Sequence, residues 1–214
     1  EKDCSSTSRL NFLNIKKIIL CSFLFASILS AHPVIFKGGK VIWLINSTDI
    51  TDIRFGKTLT RNWHSGIQIV NHKDNDQSFI ASNNNLLIKR WNSRHYQANI
   101  YGLSSVGFNL DSEKSMYNLG LHSDWENRRF MVMHMVEYSS YDESIMHNFR
   151  LAFTPKIKGY KDTSIWLIGQ YSNHQIDNKN YEKILPVVRV LKRNYLVEFG
   201  GNGKDTFFTL MVHF

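Results

Sequence analysis

Apolar and polar residues alternate with a period of two along most of this chain, and no stretch shows a helical period. In Tyr117–Trp125, the residues Tyr117, Leu119, Leu121 and Trp125 share one face, while Asn118, Gly120, His122 and Asp124 share the other. Phe149, Leu151 and Phe153 oppose Asn148, Arg150, Ala152 and Thr154 in the same way, and Ile53, Phe55 and Leu59 oppose Arg54, Gly56 and Thr58. Successive side chains of a strand point to opposite faces, so each stretch predicts a strand with one apolar and one polar face. Twelve such segments are predicted, at 39–46, 51–60, 63–71, 77–90, 97–109, 116–125, 128–139, 146–154, 164–173, 182–192, 195–200 and 206–214. The faces of 39–46 and 97–109 are ambiguous, and Asn83–Asn85 reads as a bulge or bend. The last segment has a wholly apolar face, Phe208, Leu210, Val212 and Phe214, set against Phe207, Thr209, Met211 and His213.

The links between segments add a second pattern. After the second, sixth and tenth strands stand Arg61-Asn62, Glu126-Asn127 and Arg193-Asn194, each with Asn in the second place, where a tight turn takes a positive φ. The links after odd strands, 72–76, 110–115, 140–145 and 174–181, read as longer. Links 91–96 and 155–163 break this rule, so ten strands are an alternative to twelve. About 15 residues per strand and link leaves room for the ~9–11 residues that a tilted strand needs to cross a bilayer.

In its terminal aromatic and its apolar alternate positions, the last strand resembles the closing strand of bacterial outer-membrane β-barrels. The resemblance implies that the barrel-assembly machinery reads Phe208, Leu210, Val212 and Phe214 as an insertion signal. His32–Lys40 (HPVIFKGGK), Lys89–Asn92 (KRWN), Gln97–Tyr101 (QANIY) and Met211–Phe214 (MVHF) resemble landmarks of a family of small Gram-negative outer-membrane barrel proteins with no assigned activity. That resemblance implies fold and location only. The fold expected is all-β, a closed antiparallel up-and-down transmembrane barrel, because in lipid an open sheet edge leaves N–H and C=O groups unpaired. An even strand number puts both termini in the periplasm. Trp63, Trp125, Tyr101, Tyr138 and Phe214 are the expected aromatics of the two interfacial belts.

The N-terminal part reads as an export signal. Lys16-Lys17, the apolar run Ile18–Ser30 and Ala31 have the order of a secretory signal peptide cleaved before His32, and the run is short for a transmembrane helix. The expected organisation is a signal peptide over 1–31, with residues 1–14 an over-called start of no role, and a barrel domain over 32–214. Both cysteines, Cys4 and Cys21, precede the cleavage site, so disulfides, zinc-thiolate sites and cysteine nucleophiles drop out of the mature domain. Leu20 before Cys21 is the wrong residue for a lipoprotein anchor.

Charge changes the picture only slightly. Residues 32–214 keep 22 basic and 16 acidic residues, with no basic run longer than two, so a nucleic-acid partner is not expected. Scattered basic charge on an exported chain points instead to outer-membrane lipid and lipopolysaccharide head groups, or to an anionic solute.

The inward faces carry the candidate chemistry. Parity places Arg54, His64, Gln68, Asn118, His122, Asp124, Glu137, Arg150, Gln170, Arg189, Glu198 and His213 inside. Two functions follow from different classes: a narrow passage or binding barrel for a small solute or ion, or a lipid-acting hydrolase. A plugged structural interior, filled by a self-neutralising network, is the third reading. The hydrolase is the weaker of the first two, because His122 and Asp124 point one way and Ser123 the other, so no catalytic relay forms along that strand. Met131, Met133 and Met135 line one face beside Glu137, and soft thioethers suit copper(I) or silver(I), although Met also fills irregular interiors. No cofactor is expected. The passage, with a preference for anions from Arg54, Arg150 and Arg189, is the favoured function.

Overall fold

The structure is a computed structural model that describes Val34 and residues 36–74, 76–159 and 161–214. The predicted signal peptide and its cleavage site before His32, residues 1–14 and both cysteines lie outside the described residues.

Twelve strands run in order: β1 (Lys40–Ser47), β2 (Ile50–Thr58), β3 (Trp63–His72), β4 (Gln77–Asn92), β5 (Tyr96–Asn109), β6 (Ser115–Asn127), β7 (Phe130–Ser139), β8 (Ser144–Phe153), β9 (Ser164–Ile176), β10 (Lys179–Lys192), β11 (Tyr195–Gly201) and β12 (Thr206–His213). Each is antiparallel to its sequence neighbours, and β1 pairs with β12, so the sheet closes on itself. The closing register runs from Val41 opposite His213 to Ser47 opposite Phe207. Closure leaves no strand edge, which is what a lipid environment demands of a sheet.

The alternation read from sequence is the alternation of the barrel wall. Ile67, Val106, Leu119, Leu151, Ile184 and Phe199 stand exposed on the outside, whereas Thr209, Met211 and His213 of β12 are buried and Phe214 is exposed. At the end where β1 begins and β12 finishes, the terminal end of the barrel, Trp63, Trp91, Tyr96, Trp125, Phe130 and Phe214 are large exposed rings. Tyr96 stacks near Trp125 and Phe130 tilts against Phe153, with centroids 6.1 and 5.4 Å apart. Tyr117 and Tyr138 make the corresponding contact at the opposite end. Amphipathic rings at both rims of an apolar band are the outer surface of a transmembrane barrel.

Four expectations need correction. Asn83–Asn85 pairs regularly with Leu103–Ser105, and the bulge falls at Ile88, between Leu87 opposite Tyr101 and Lys89 opposite Ile100. The extra residue inverts the parity downstream of it, turning Arg90 inward, where it bonds Asn99 and Tyr101. Tyr101 is therefore not a belt residue. It is fully buried inside the barrel. The loop sorting also fails: the links after odd strands include the two-residue 48–49 and 177–178, and the longest link, 154–163, lies at the terminal end. Finally, the tight turns differ in detail. Arg61-Asn62 belongs to a four-residue link, 59–62, and Glu126-Asn127 finishes β6. In Arg193-Asn194 it is Arg193 that takes the positive φ, 53°, while Asp177 and Asn178 form the turn with two positive values, 49° and 61°.

Leu210 stands midway along β12, opposite Leu44 and Val197. Leu210→Lys is expected to cost about 2–4 kcal/mol in urea unfolding from lipid vesicles, as a cation does at the midplane. Met135→Lys, on the inward face, is expected to cost clearly less.

Candidate functional site

The interior is held by ion pairs within and between strands. Arg150 on β8 places Nη1 3.1 Å from both carboxylate oxygens of Glu198 on β11, and Arg189 on β10 donates from Nε to Glu198 Oε1 at 2.6 Å. Strands β8 and β11 are separated by β9 and β10, so the first of these bonds passes through the lumen over two strands. Arg150 also donates from Nε to Gln170 Oε1 at 2.8 Å and lies over the ring of Phe207. Met131 Sδ sits 3.6 Å from Arg189 Nη1. Two guanidinium groups share one carboxylate here, leaving a local surplus of one positive charge.

A second group has the opposite balance. Arg54 grips Asp52 through Nε and Nη2, the shortest contact being 2.6 Å, and Gln68 Nε2 donates to Asp52 Oδ2 at 3.1 Å. Asn83 Nδ2 extends the chain to Gln68 Oε1 at 3.3 Å, and the guanidinium lies over Trp43. Glu137, on β7, is within electrostatic reach of Arg54. Here two carboxylates face one guanidinium.

The terminal mouth holds the third group. Arg90 donates to Asn99 Oδ1 at 2.6 Å, Asn99 donates to Asp124 Oδ1 at 2.6 Å, and His122 Nε2 lies 3.2 Å from Asp124 Oδ2. Tyr101 meets the His122 ring edge-on. Beside it Val34, only 2% exposed, packs with Leu87, Tyr101 and Leu103. Val34, ahead of β1, thus sits inside the barrel, and Gly38 at φ +86° turns the chain between it and the strand. His64 bonds Thr58 at 3.2 Å, and its ring fills the space beside Gly56, where any Cβ would sit 2.2 Å from Nε2.

At the far mouth, Lys183 bridges Asp49 at 2.5 Å and Asp205 at 3.0 Å. The hydrogen bond from Lys183 holds the Asp205 carboxyl below the usual carboxylate range. Tyr141 donates to Gln77 and packs edge-on against Phe79.

All ten residues proposed from sequence as lumen-lining, Arg54, His64, Gln68, His122, Asp124, Glu137, Arg150, Gln170, Arg189 and Glu198, occupy inward positions in the registers. They form several groups instead of one site. Asp52, Arg90 and Asn99 were missed. Asp52 shares the parity of Arg54 and was open to discovery, whereas Arg90 was hidden by the bulge. Ser123 faces away from His122 and Asp124, with Oγ 3.5 Å from the His134 carbonyl. Met131, Met133 and Met135 share the inward face, and His134 stands outside, against His147.

No protein-family model and no curated protein matches the sequence. Among solved structures, the KdgM porin aligns with a TM-score of 0.54 at 11% identity, covering 82% of this chain and 98% of that chain. The KdgM porin in complex with disordered oligogalacturonate gives 0.52 with the same identity and coverages. The outer membrane protein OprD from Pseudomonas aeruginosa aligns at 0.45 and 10% identity over 84% of this chain and 65% of that one, a likeness too distant to argue from. The chain shares the fold of the KdgM porin. With its closed ladder, apolar exterior and aromatic rims, it is a barrel of the outer membrane.

Removing Glu198 leaves two buried guanidinium groups without their carboxylate. Glu198→Gln is expected to lower stability by about 3–5 kcal/mol in chemical unfolding of the folded barrel. Glu137→Gln, which leaves Arg54 bound to Asp52, is expected to change it little.

Proposed function

We propose that the barrel is a narrow passage for a small anionic solute, with both termini on the periplasmic side. The observation that carries this reading is the Arg150–Glu198–Arg189 group, a positive surplus facing the lumen from β8, β10 and β11. The interior as a whole is not a basic tunnel, because inward carboxylates, among them Asp52, Asp124, Glu126, Glu137 and Glu198, stand against Arg54, Arg90, Arg150 and Arg189. Selectivity therefore rests on local imbalance, and Arg54 contributes none of it. Four inward polar atoms, Trp43 Nε1, Asn118 Oδ1, Asn148 Oδ1 and Thr209 Oγ1, have no hydrogen-bonding partner among the described residues. Such atoms are bonded by water or solute when a lumen is wet. The oligogalacturonate held by the KdgM porin supports an acidic solute as the class to test first. Nothing in the His122–Asp124 pair favours the hydrolase, since its neighbouring serine lies on the other face.

Purified protein in planar bilayers is expected to give discrete conductance with a reversal potential biased toward anions. Arg189→Ala leaves Arg150 and Glu198 as a neutral pair, and is expected to abolish most of the bias. Val34→Ala loosens the packing at the terminal mouth and is expected to raise conductance without altering the bias. A silent bilayer, or fatty-acid release from phospholipid, defeats the proposal.

The insertion signal is part of the same reading. Deleting Phe214 removes the terminal aromatic, and the folded fraction in the outer membrane, read as heat-modifiable gel mobility, is expected to fall sharply.

A further inference from the structure

The outer wall carries a polar pair where lipid tails should lie. His134 stands midway between the rim rings Phe130 and Tyr138 on β7, and it is exposed. Its Nε2 lies 3.4 Å from Nδ1 of His147 on β8, with the rings 13° from parallel and their centroids 5.6 Å apart. Ser123, opposite His134 on β6, and Asn173, opposite His147 on β9, extend the polar patch across four strands. Hydrocarbon offers no hydrogen-bonding partner, and a polar group facing it is costly. One long hydrogen bond does not offset that cost.

The bonding capacity of the pair says what covers it. Two neutral imidazoles have two N–H donors and two acceptor nitrogens. Their mutual bond uses one of each. Whichever ring donates, one outer nitrogen of the pair remains a donor and the other an acceptor: Nδ1 of His134 and Nε2 of His147. A two-fold axis brings each of these against the other from a second copy, so the donor meets the acceptor in either tautomeric state. An isologous contact needs a patch complementary to itself, and this patch is. Farther toward the terminal end the outer wall is recessed on β9–β11, where Gly169, opposite Leu151, and Pro186 leave an apolar groove bounded by Leu167, Val188 and Phe199. The exposed Ile145, Phe149 and Leu151, on the same face of β8 as His147, supply the apolar area that the histidines alone lack.

We infer that the β6–β9 wall is a lateral self-association face, on which a second copy of this chain docks with His134 bonded to the second copy's His147 and His147 to the second copy's His134. The protein in lipid nanodiscs is expected to have twice the single-chain mass by native mass spectrometry. The double variant His134→Leu with His147→Leu suits lipid better, so it is expected to keep its heat-modifiable barrel while falling to the single-chain mass. Residues 32–214 contain no cysteine. A tagged His134→Cys chain co-expressed with a His147→Cys chain is therefore expected to form a disulfide-linked pair on oxidation, whereas Ile67→Cys, on β3, does not. A single-chain mass for the unaltered protein overturns the inference. So does a double-leucine variant that remains paired, or cross-linking at residue 67 but not between 134 and 147.

Discussion

The pairing of β1 with β12 is the constraint on which everything else depends. A bilayer supplies no donors or acceptors to a peptide group, so each unpaired N–H or C=O at that depth costs several kcal/mol. Seven consecutive pairs, from Val41–His213 to Ser47–Phe207, close the wall. Two contacts finish the seam at the terminal end, where the Phe214 amide donates to the Lys40 carbonyl at 2.9 Å and the Lys40 amide returns the bond at 3.2 Å. The last residue of the chain is thus bonded into the ladder through its backbone while its ring stays outside. The terminal aromatic and the closure of the sheet are one feature of the fold.

Once the wall is closed, parity divides the side chains between two solvents. The outside solvates hydrocarbon, and the inside must solvate charge. It does so by compensation between strands: Glu198 collects guanidinium groups from β8 and β10, and Asp52 collects Arg54 and Gln68. Breaking such a contact exposes a partner in a confined space, which makes the interior stiff as well as polar. A passage through this lumen follows paired charges, so the sign it prefers depends on which pairs are incomplete.

Much of this could be read in the chain, because a wall between lipid and water imposes a strict period of two. The twelve strands and the inward positions of Arg54, Arg150, Arg189 and Glu198 all rest on that period. Strand β5 was hard to read because both of its faces are mixed: Ala98, Ile100 and Gly102 face outward while Tyr101 and Leu103 fill the lumen. An aromatic is as useful for filling an interior as for marking an interface, and composition does not distinguish the two. The bulge at Ile88 leaves no mark in an apolar run. Asp177-Asn178 was read as part of a long loop because polar residues continue on both sides of it, where β9 and β10 rise past the apolar band. The groups around Glu198 needed three dimensions, since their members lie on strands distant in sequence.

The bulge also bears on how such a wall can change length over evolution. Every strand obeys an odd–even rule, so gaining or losing one residue within it exchanges lipid-facing and lumen-facing side chains as far as the next link. Changes of two residues preserve the faces, and changes in a link leave them untouched. Strand β4 already contains one odd residue, Ile88, with pairing intact on both sides of it. At that place the wall accommodates a single extra residue, and the segment beyond it, Lys89–Asn92, has the opposite parity. Length variation among descendants of this barrel should therefore appear in links such as 154–163 or in steps of two, with β4 the strand whose count can differ by one.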